Sequence, residues 1–126
     1  MNAYVSVFVG GCLGAIARYG LSLSISTTYR FPYETLTANW LGCFLLTYLM
    51  AHPYLSSRLS TSTRIGLGTG LLGAFTTFST FTIETIDLWI NGLGGQALLY
   101  IFLSIFGGIS LAWAGFRMAR IGGKSV

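Results

Sequence analysis

Gly73-Ala74-Phe75-Thr76-Thr77-Phe78-Ser79-Thr80-Phe81-Thr82 sits inside an uncharged run, residues 65–83, and its reading decides the fold. A helix needs about 20 apolar residues to cross the hydrocarbon of a bilayer, and this run has that length. Yet five of these ten side chains carry hydroxyls. β-Branched threonine is a modest helix former, and Ser and Thr side chains compete for backbone groups. The stretch therefore predicts a helix broken at membrane depth. Irregular backbone is tolerated there only where protein buries it or where it lines a cavity. Freed carbonyls suit a cation, whereas N–H and O–H groups suit an anion. Phe75, Phe78 and Phe81 advance by three. On a continuous helix each step turns by about 60°, so the rings spread over one side. A kinked helix with lipid-facing rings is the plain alternative. The coincidence of hydroxyls, a break and regularly spaced rings favours function, because the positive edge of a phenyl ring can meet an anion without a trapping full charge.

The rest of the chain supports a membrane setting. Charged residues make up 8% of the 126 residues, against about 25% in an average soluble domain. The mean hydropathy is +0.70. So few charges cannot cover a soluble surface, which excludes disorder and an ordinary cytosolic enzyme. The net charge of +4 is spread along the chain without a patch, which argues against nucleic acid. Residues 1–17, 35–57 and 88–116 are also uncharged. Four membrane helices follow, at roughly 3–26, 35–52, 64–90 and 96–118, in a single membrane domain over 1–126. Tyr29, Phe31 and Tyr33 flank Pro32 in an interfacial loop, Pro53 ends the second helix, Ser60 to Ser62 cap the third, and Asn91 to Gly95 form a turn. The first run lacks a basic leader and reads as a retained span rather than a cleaved signal.

Four crossings put both termini on one side, with Arg58, Arg64, Arg117, Arg120 and Lys124 against Arg30 on the other, so the positive-inside rule predicts cytoplasmic termini. Gly10-x-x-x-Gly14, Gly11-x-x-x-Ala15, Gly66-x-x-x-Gly70 and Ser104-x-x-x-Gly108-x-x-x-Ala112 predict close helix packing. Four helices leave little room for an internal path, so transport needs a second subunit. Cys12 and Cys43 read as packing residues.

Few side chains are candidates for chemistry. Arg18 lies inside the first helix; it either marks an anion path or snorkels to the interface. Asn39, with Thr35 and Cys43 one turn to either side, brings an amide into hydrocarbon, where helix–helix hydrogen bonding is the plain reading. Glu84 and Asp87 follow the hydroxyl stretch, and Asp87 reads as interfacial. Tyr100 and Ser104, four apart, extend a hydroxyl track; His52 reads as interfacial. There is no nucleophile–base pair, phosphate loop or metal-ligand spacing, so the chain does not read as an enzyme.

Three motifs resemble those of the Fluc (CrcB) fluoride channels. Gly11-Cys12-Leu13-Gly14-Ala15-Ile16-Ala17-Arg18-Tyr19 is similar to the family's GxxGAxxRY. Thr35-Leu36 with Asn39-Trp40-Leu41-Gly42-Cys43-Phe44 resembles TL…NxxGxF. Residues 70–84, with Thr76-Thr77-Phe78-Ser79-Thr80-Phe81 and Glu84, resemble GxxGGxTTFSTFxxE, although Ala74 stands where the family often has Gly. Length and helix layout agree, so the likeness covers nearly the whole chain.

The resemblance implies an antiparallel, dual-topology homodimer with two fluoride pores at the subunit interface. It also implies a structural sodium ion on the two-fold axis, held by the Gly73 and Thr76 carbonyls of each subunit. It places Asn39, Phe78 and Phe81 along the pores, with Ser79, Thr80, Tyr100 and Ser104 adding polar contacts and Arg18 matching the first-helix arginine. It implies passive fluoride export across a bacterial inner membrane, which lowers toxicity. The five-to-one charge bias runs against dual insertion, and the motifs outweigh it. A small multidrug exporter would need a carboxylate in the first helix, where Arg18 stands instead. A non-transporting membrane subunit would explain the glycines but not the hydroxyl-phenyl stretch.

Overall fold

The computed structural model describes residues 2–25 and 30–122. The expected end of the first helix at residue 26, Tyr29 of the aromatic loop and Lys124 lie outside these. Among the described residues every regular element is helical. Helix α1 is Ala3–Ser24, α2 is Tyr33–Ala51 and α3 is Pro53–Arg58. Helix α4 covers 61–75, α5 is Ser79–Ile90, and α6 is Gly94–Gly122.

The expected third helix at 64–90 is two helices, α4 and α5, parted at Thr76 to Phe78. The break falls inside the hydroxyl stretch. Pro53 does not merely stop α2: it opens the short α3, as the missing N–H of proline allows in a first turn. Ser60 caps α4, its Oγ accepting the Thr63 N–H at 3.2 Å. Two stretches wind more loosely, with i→i+5 bonding: Gly66–Leu72 in α4 and Leu103–Gly107 in α6.

Two helix pairs carry the packing. A Cβ on Gly10 would meet the Gly66 carbonyl, and one on Gly14 the Leu71 carbonyl, so these glycines let α1 lie directly on α4. Both contacts advance together along the chain, so α1 and α4 run parallel. Helices α2 and α6 also run parallel: a Cβ on Gly107 would stand 2.6 Å from the Trp40 ring, and one on Gly115 would stand 2.5 Å from the Phe44 carbonyl. The Trp40 indole N–H donates to the Leu103 carbonyl at 3.0 Å, where the loose stretch of α6 begins. The second small-residue pair of α1 behaves differently, since nothing stands within 4 Å of a Cβ on Gly11.

Helices α5 and α6 form a hairpin through Asn91 and Gly92, where φ of +76° calls for glycine. Leu36, Leu88, Ala97 and Tyr100 form the buried core there. Elsewhere large apolar side chains such as Phe8, Ile90 and Trp113 are exposed, an exterior suited to lipid rather than water. Helices α1 and α6 are long and apolar enough to cross a membrane, by length and composition. Helix α2 is shorter and bears Glu34 and Asn39, and 61–90 is cut by the break.

Candidate functional site

The break is built by threonines. Thr76 leaves the helix at φ −85°, ψ 161°, while its N–H and its hydroxyl both bond the Leu72 carbonyl, at 3.0 and 2.9 Å. Thr77 lies in the break, two residues ahead of α5. Its Oγ1 accepts the Thr80 N–H at 3.2 Å and donates to Thr80 Oγ1 at 3.0 Å, so it satisfies a donor in the first turn of α5.

Helix α2 holds this segment from the side. Thr35, Asn39 and Gly42 recur at the spacing of one helix face. Asn39 Oδ1 accepts the Thr77 N–H at 2.8 Å, and Asn39 Nδ2 donates to the Thr77 carbonyl at 2.9 Å. Gly42 makes room for Thr76, whose Cγ2 would collide with a Cβ there. Thr35 Oγ1 donates to Glu84 Oε1 at 2.8 Å, and Tyr100 OH donates to Glu84 Oε2 at 2.8 Å. One carboxylate thus ties α2, α5 and α6 together.

The break leaves acceptors over. Among the described residues no hydrogen bond ends on the Gly73 or Thr76 carbonyl, because the Thr77 N–H that would serve Gly73 in a continuous helix goes to Asn39. Gly73 is also exposed. Such carbonyls are hard oxygen donors of the kind a small cation takes.

Two cavities adjoin the break. The larger, about 410 Å³, is lined by Asn39, Gly73, Thr76, Phe78, Phe81 and Ser104 among others. Its walls are apolar except for an amide, hydroxyls and peptide groups. Ser104 Oγ is buried there with no partner among the described residues. The smaller, about 210 Å³, is lined by Arg18, Glu34, Thr35, Thr77 and Thr80 among others. Thr77 borders both.

The structure thus divides the residues singled out from sequence. Asn39, Phe78, Phe81, Ser104, Gly73 and Thr76 meet at the larger cavity; Arg18 and Thr80 meet at the smaller. Ser79 is exposed at the start of α5, its Oγ 3.4 Å from Thr77 Oγ1. Tyr100 is wholly buried beneath Phe81, ring centroids 5.0 Å apart, and its hydroxyl serves Glu84 rather than the cavity that Ser104 lines.

Phe78 and Phe81 stay side by side at the larger cavity, ring centroids 5.9 Å apart, while Phe75 departs from them. Phe75 is buried at the end of α4, Phe78 is 80% exposed, and Phe81 is half-buried. The break resets the helical phase between Phe75 and that pair. Asp87 is exposed and accepts from Asn91 Nδ2 at 3.1 Å, in keeping with an interfacial place. Thr77 as a hub and Trp40 as a donor to α6 are roles the residue types did not announce. The spacing of Thr35, Asn39 and Gly42 was the available signal for the first.

Residues 5–116 match the family described as CrcB-like protein, Camphor Resistance (CrcB). The chain is 44% identical over 119 residues to a protein of Oceanobacillus iheyensis named Fluoride-specific ion channel FluC, covering 94% of this chain and 92% of the relative. It is 44% identical to Fluoride-specific ion channel FluC 2 of Moorella thermoacetica, covering 93% and 96%. It is 40% identical to Fluoride-specific ion channel FluC 1 of Desulfitobacterium hafniense, covering 85% and 94%.

Proposed function

This chain belongs to the CrcB-like family, and from that premise we propose that it is a fluoride-selective ion channel working as an antiparallel homodimer. The chain is a channel protein rather than an enzyme, and fluoride is the ion it passes. In this reading four spans cross the bacterial inner membrane, α4 and α5 together making the third. Two copies meet over the break and form two pores, and fluoride leaves the cytoplasm through them.

The observation that carries the reading is the setting of Phe78. Its ring stands 80% exposed on a non-helical residue and borders a cavity shared with Phe81, Asn39 and Ser104. Fluoride is small and strongly hydrated, so losing water dominates its entry. The Ser104 hydroxyl and the second N–H of the Asn39 amide are donors left over after the internal bonds are made. Phenyl edges of Phe78 and Phe81 complete the lining with positive partial charge. Weak contacts at several places allow the ion to enter and leave. Arg18, with Thr80 in the smaller cavity, raises the local fluoride concentration beside the break. Ser79 lies at the exposed edge of the path. Tyr100 supports Phe81 from beneath. Passive exit needs no coupled reaction, since an inside-negative potential contributes about 2.3 kcal/mol per charge per 100 mV.

The residues also fit a structural sodium ion at the dimer axis. The Gly73 and Thr76 carbonyls, which receive no N–H among the described residues, would hold it. Bound there, sodium supplies a positive charge that draws carbonyl dipoles of two copies together. Antiparallel pairing requires copies to insert both ways despite the excess of arginines at one end.

The test is fluoride release from liposomes carrying the purified protein, followed with a fluoride electrode and repeated with chloride. Fast fluoride release with little chloride release, lost in Phe78→Ile, supports the reading. No release from a well-folded dimer overturns it.

A further inference from the structure

The three acidic residues are absent from one whole end of the molecule. Helix α3, the start of α4 and the close of α6 gather there, since His52 lies beside Gly122, 3.4 Å from a Cβ built on it. That end carries Arg58, Arg64, Arg117 and Arg120. Glu34 and Asp87 lie toward the opposite end together with Arg30, and Glu84 is turned inward to Thr35 and Tyr100.

Three of the four arginines share one construction. The Arg58 guanidinium lies 5.2 Å from the Tyr54 ring, Arg117 5.2 Å from Trp113, and Arg120 4.7 Å from Phe116. Each aromatic precedes its arginine by one helical turn. The rings of Tyr54, Trp113 and Phe116 are themselves exposed. Among the described residues no hydrogen bond or ion pair engages these guanidinium groups. Each offers five N–H donors in a rigid fork. Exposed tyrosine and tryptophan sit at headgroup depth in a bilayer. A guanidinium held over such a ring is therefore kept near that depth, with its N–H donors free for a set of oxygens. Phosphate matches that fork in two-point geometry.

We propose that this end is a docking surface for anionic phospholipid headgroups, with the three arginine–aromatic pairs as its phosphate clamps. The uniform positive charge commits it to an anionic lipid over a zwitterionic one, whose ammonium the arginines would repel. The opposite end, where Arg30 stands among Glu34 and Asp87, has no such preference. None of the six clamp residues belongs to the cavities at the break, so the inference stands or falls apart from the channel reading.

The test uses the full chain in neutral detergent doped with equal phosphatidylglycerol and phosphatidylcholine. Lipids retained per chain are counted by native mass spectrometry. Wild type and Arg30→Gln should retain phosphatidylglycerol over phosphatidylcholine. The triple variant Arg58→Gln/Arg117→Gln/Arg120→Gln should lose that preference, by about five-fold per arginine removed. Raising the salt should weaken the preference in wild type without any substitution. Free phosphate at the same concentration should not displace the lipid, since it lacks the chains that anchor the headgroup. Equal retention of both lipids by wild type overturns the proposal, as does an unchanged preference in the triple variant. Retention displaced by free phosphate would also overturn it, marking a general anion site. Helical circular dichroism and a single gel-filtration peak establish that the variant is folded.

Discussion

Asn39 holds Thr77 by both of its backbone groups, taking the N–H at 2.8 Å and giving to the carbonyl at 2.9 Å. A side-chain amide has one acceptor and donors in a fixed geometry, and here it replaces the peptide neighbours that a continuous helix would supply. The break between α4 and α5 thus has no orphaned group at Thr77, and among the described residues the acceptors left over are the Gly73 and Thr76 carbonyls. Asn39→Ala removes both bonds and leaves a donor and an acceptor unmet in a poorly solvated place, at a cost of about 2–4 kcal/mol. Asn39→Asp keeps the acceptor but sets a carboxylate against the Thr77 carbonyl. The alanine variant should unfold at clearly lower temperature and pass no fluoride; the aspartate variant should fall between in stability and also be silent. Thermal unfolding in detergent beside liposome flux checks this. An alanine variant as stable and as active as wild type would show that the clamp holds nothing.

Phe78 and Phe81 separate function from stability. Phe78 is 80% exposed in the chain, while Phe81 packs on the buried Tyr100. Phe78→Ala should leave the stability of the isolated chain within about 0.5 kcal/mol yet abolish fluoride release. Phe81→Ala empties space over Tyr100 and should lose about 2–4 kcal/mol as well as flux. Equilibrium unfolding of both variants, read beside release rates, distinguishes them. Equal destabilisation would mean that Phe78 is buried in a way the single chain does not reveal.

Much of this was legible from residue types, and the rest depended on register. Hydroxyls in an apolar run announced the break at Thr76 to Phe78, because Ser and Thr reward the backbone for leaving the helix. Gly10, Gly14 and Gly66 announced close helix packing through their spacing, but not that α1 and α4 are the partners. Phe78 and Phe81 stay neighbours at one cavity, as their spacing suggested, whereas Phe75 departs from them, because helical phase cannot be carried across a break. The loose stretches Gly66–Leu72 and Leu103–Gly107 had no local signature, since an added residue per turn is settled by packing. Tyr100 illustrates the same limit at the site. Its spacing from Ser104 suggested one track, but the looser winding begins at Leu103 between them, and Glu84 takes the Tyr100 hydroxyl.

Gly42 is a test of how tightly the break is held. A Cβ there would overlap Thr76 Cγ2, whereas nothing stands within 4 Å of a Cβ on Gly20. Gly42→Ala should therefore push on the break and cost about 1–3 kcal/mol, with reduced flux. Gly20→Ala should be neutral or gain up to about 1 kcal/mol from helix propensity. Unfolding midpoints and release rates decide it. Normal flux in Gly42→Ala would mean that Thr76 shifts freely and that the break is pliable.

Glu84 accepts from Thr35 on one oxygen and from Tyr100 on the other, each at 2.8 Å. Thr35→Val and Tyr100→Phe each remove a single donor and keep nearly the same volume. A hydrogen bond to a charged group contributes about 1.5–3 kcal/mol, so each variant should lose roughly that much. Because both donors serve one carboxylate, the losses should not add: the double variant should differ from the sum by about 0.5 kcal/mol or more. Tyr100→Phe keeps the ring beneath Phe81, so it should retain selective fluoride release if Tyr100 acts by support, and lose selectivity if its hydroxyl meets the ion. A double-mutant cycle of unfolding energies, with fluoride and chloride release measured on the same samples, separates the two. Strict additivity would mean that Thr35 and Tyr100 act independently and that Glu84 does not couple α2 to α6.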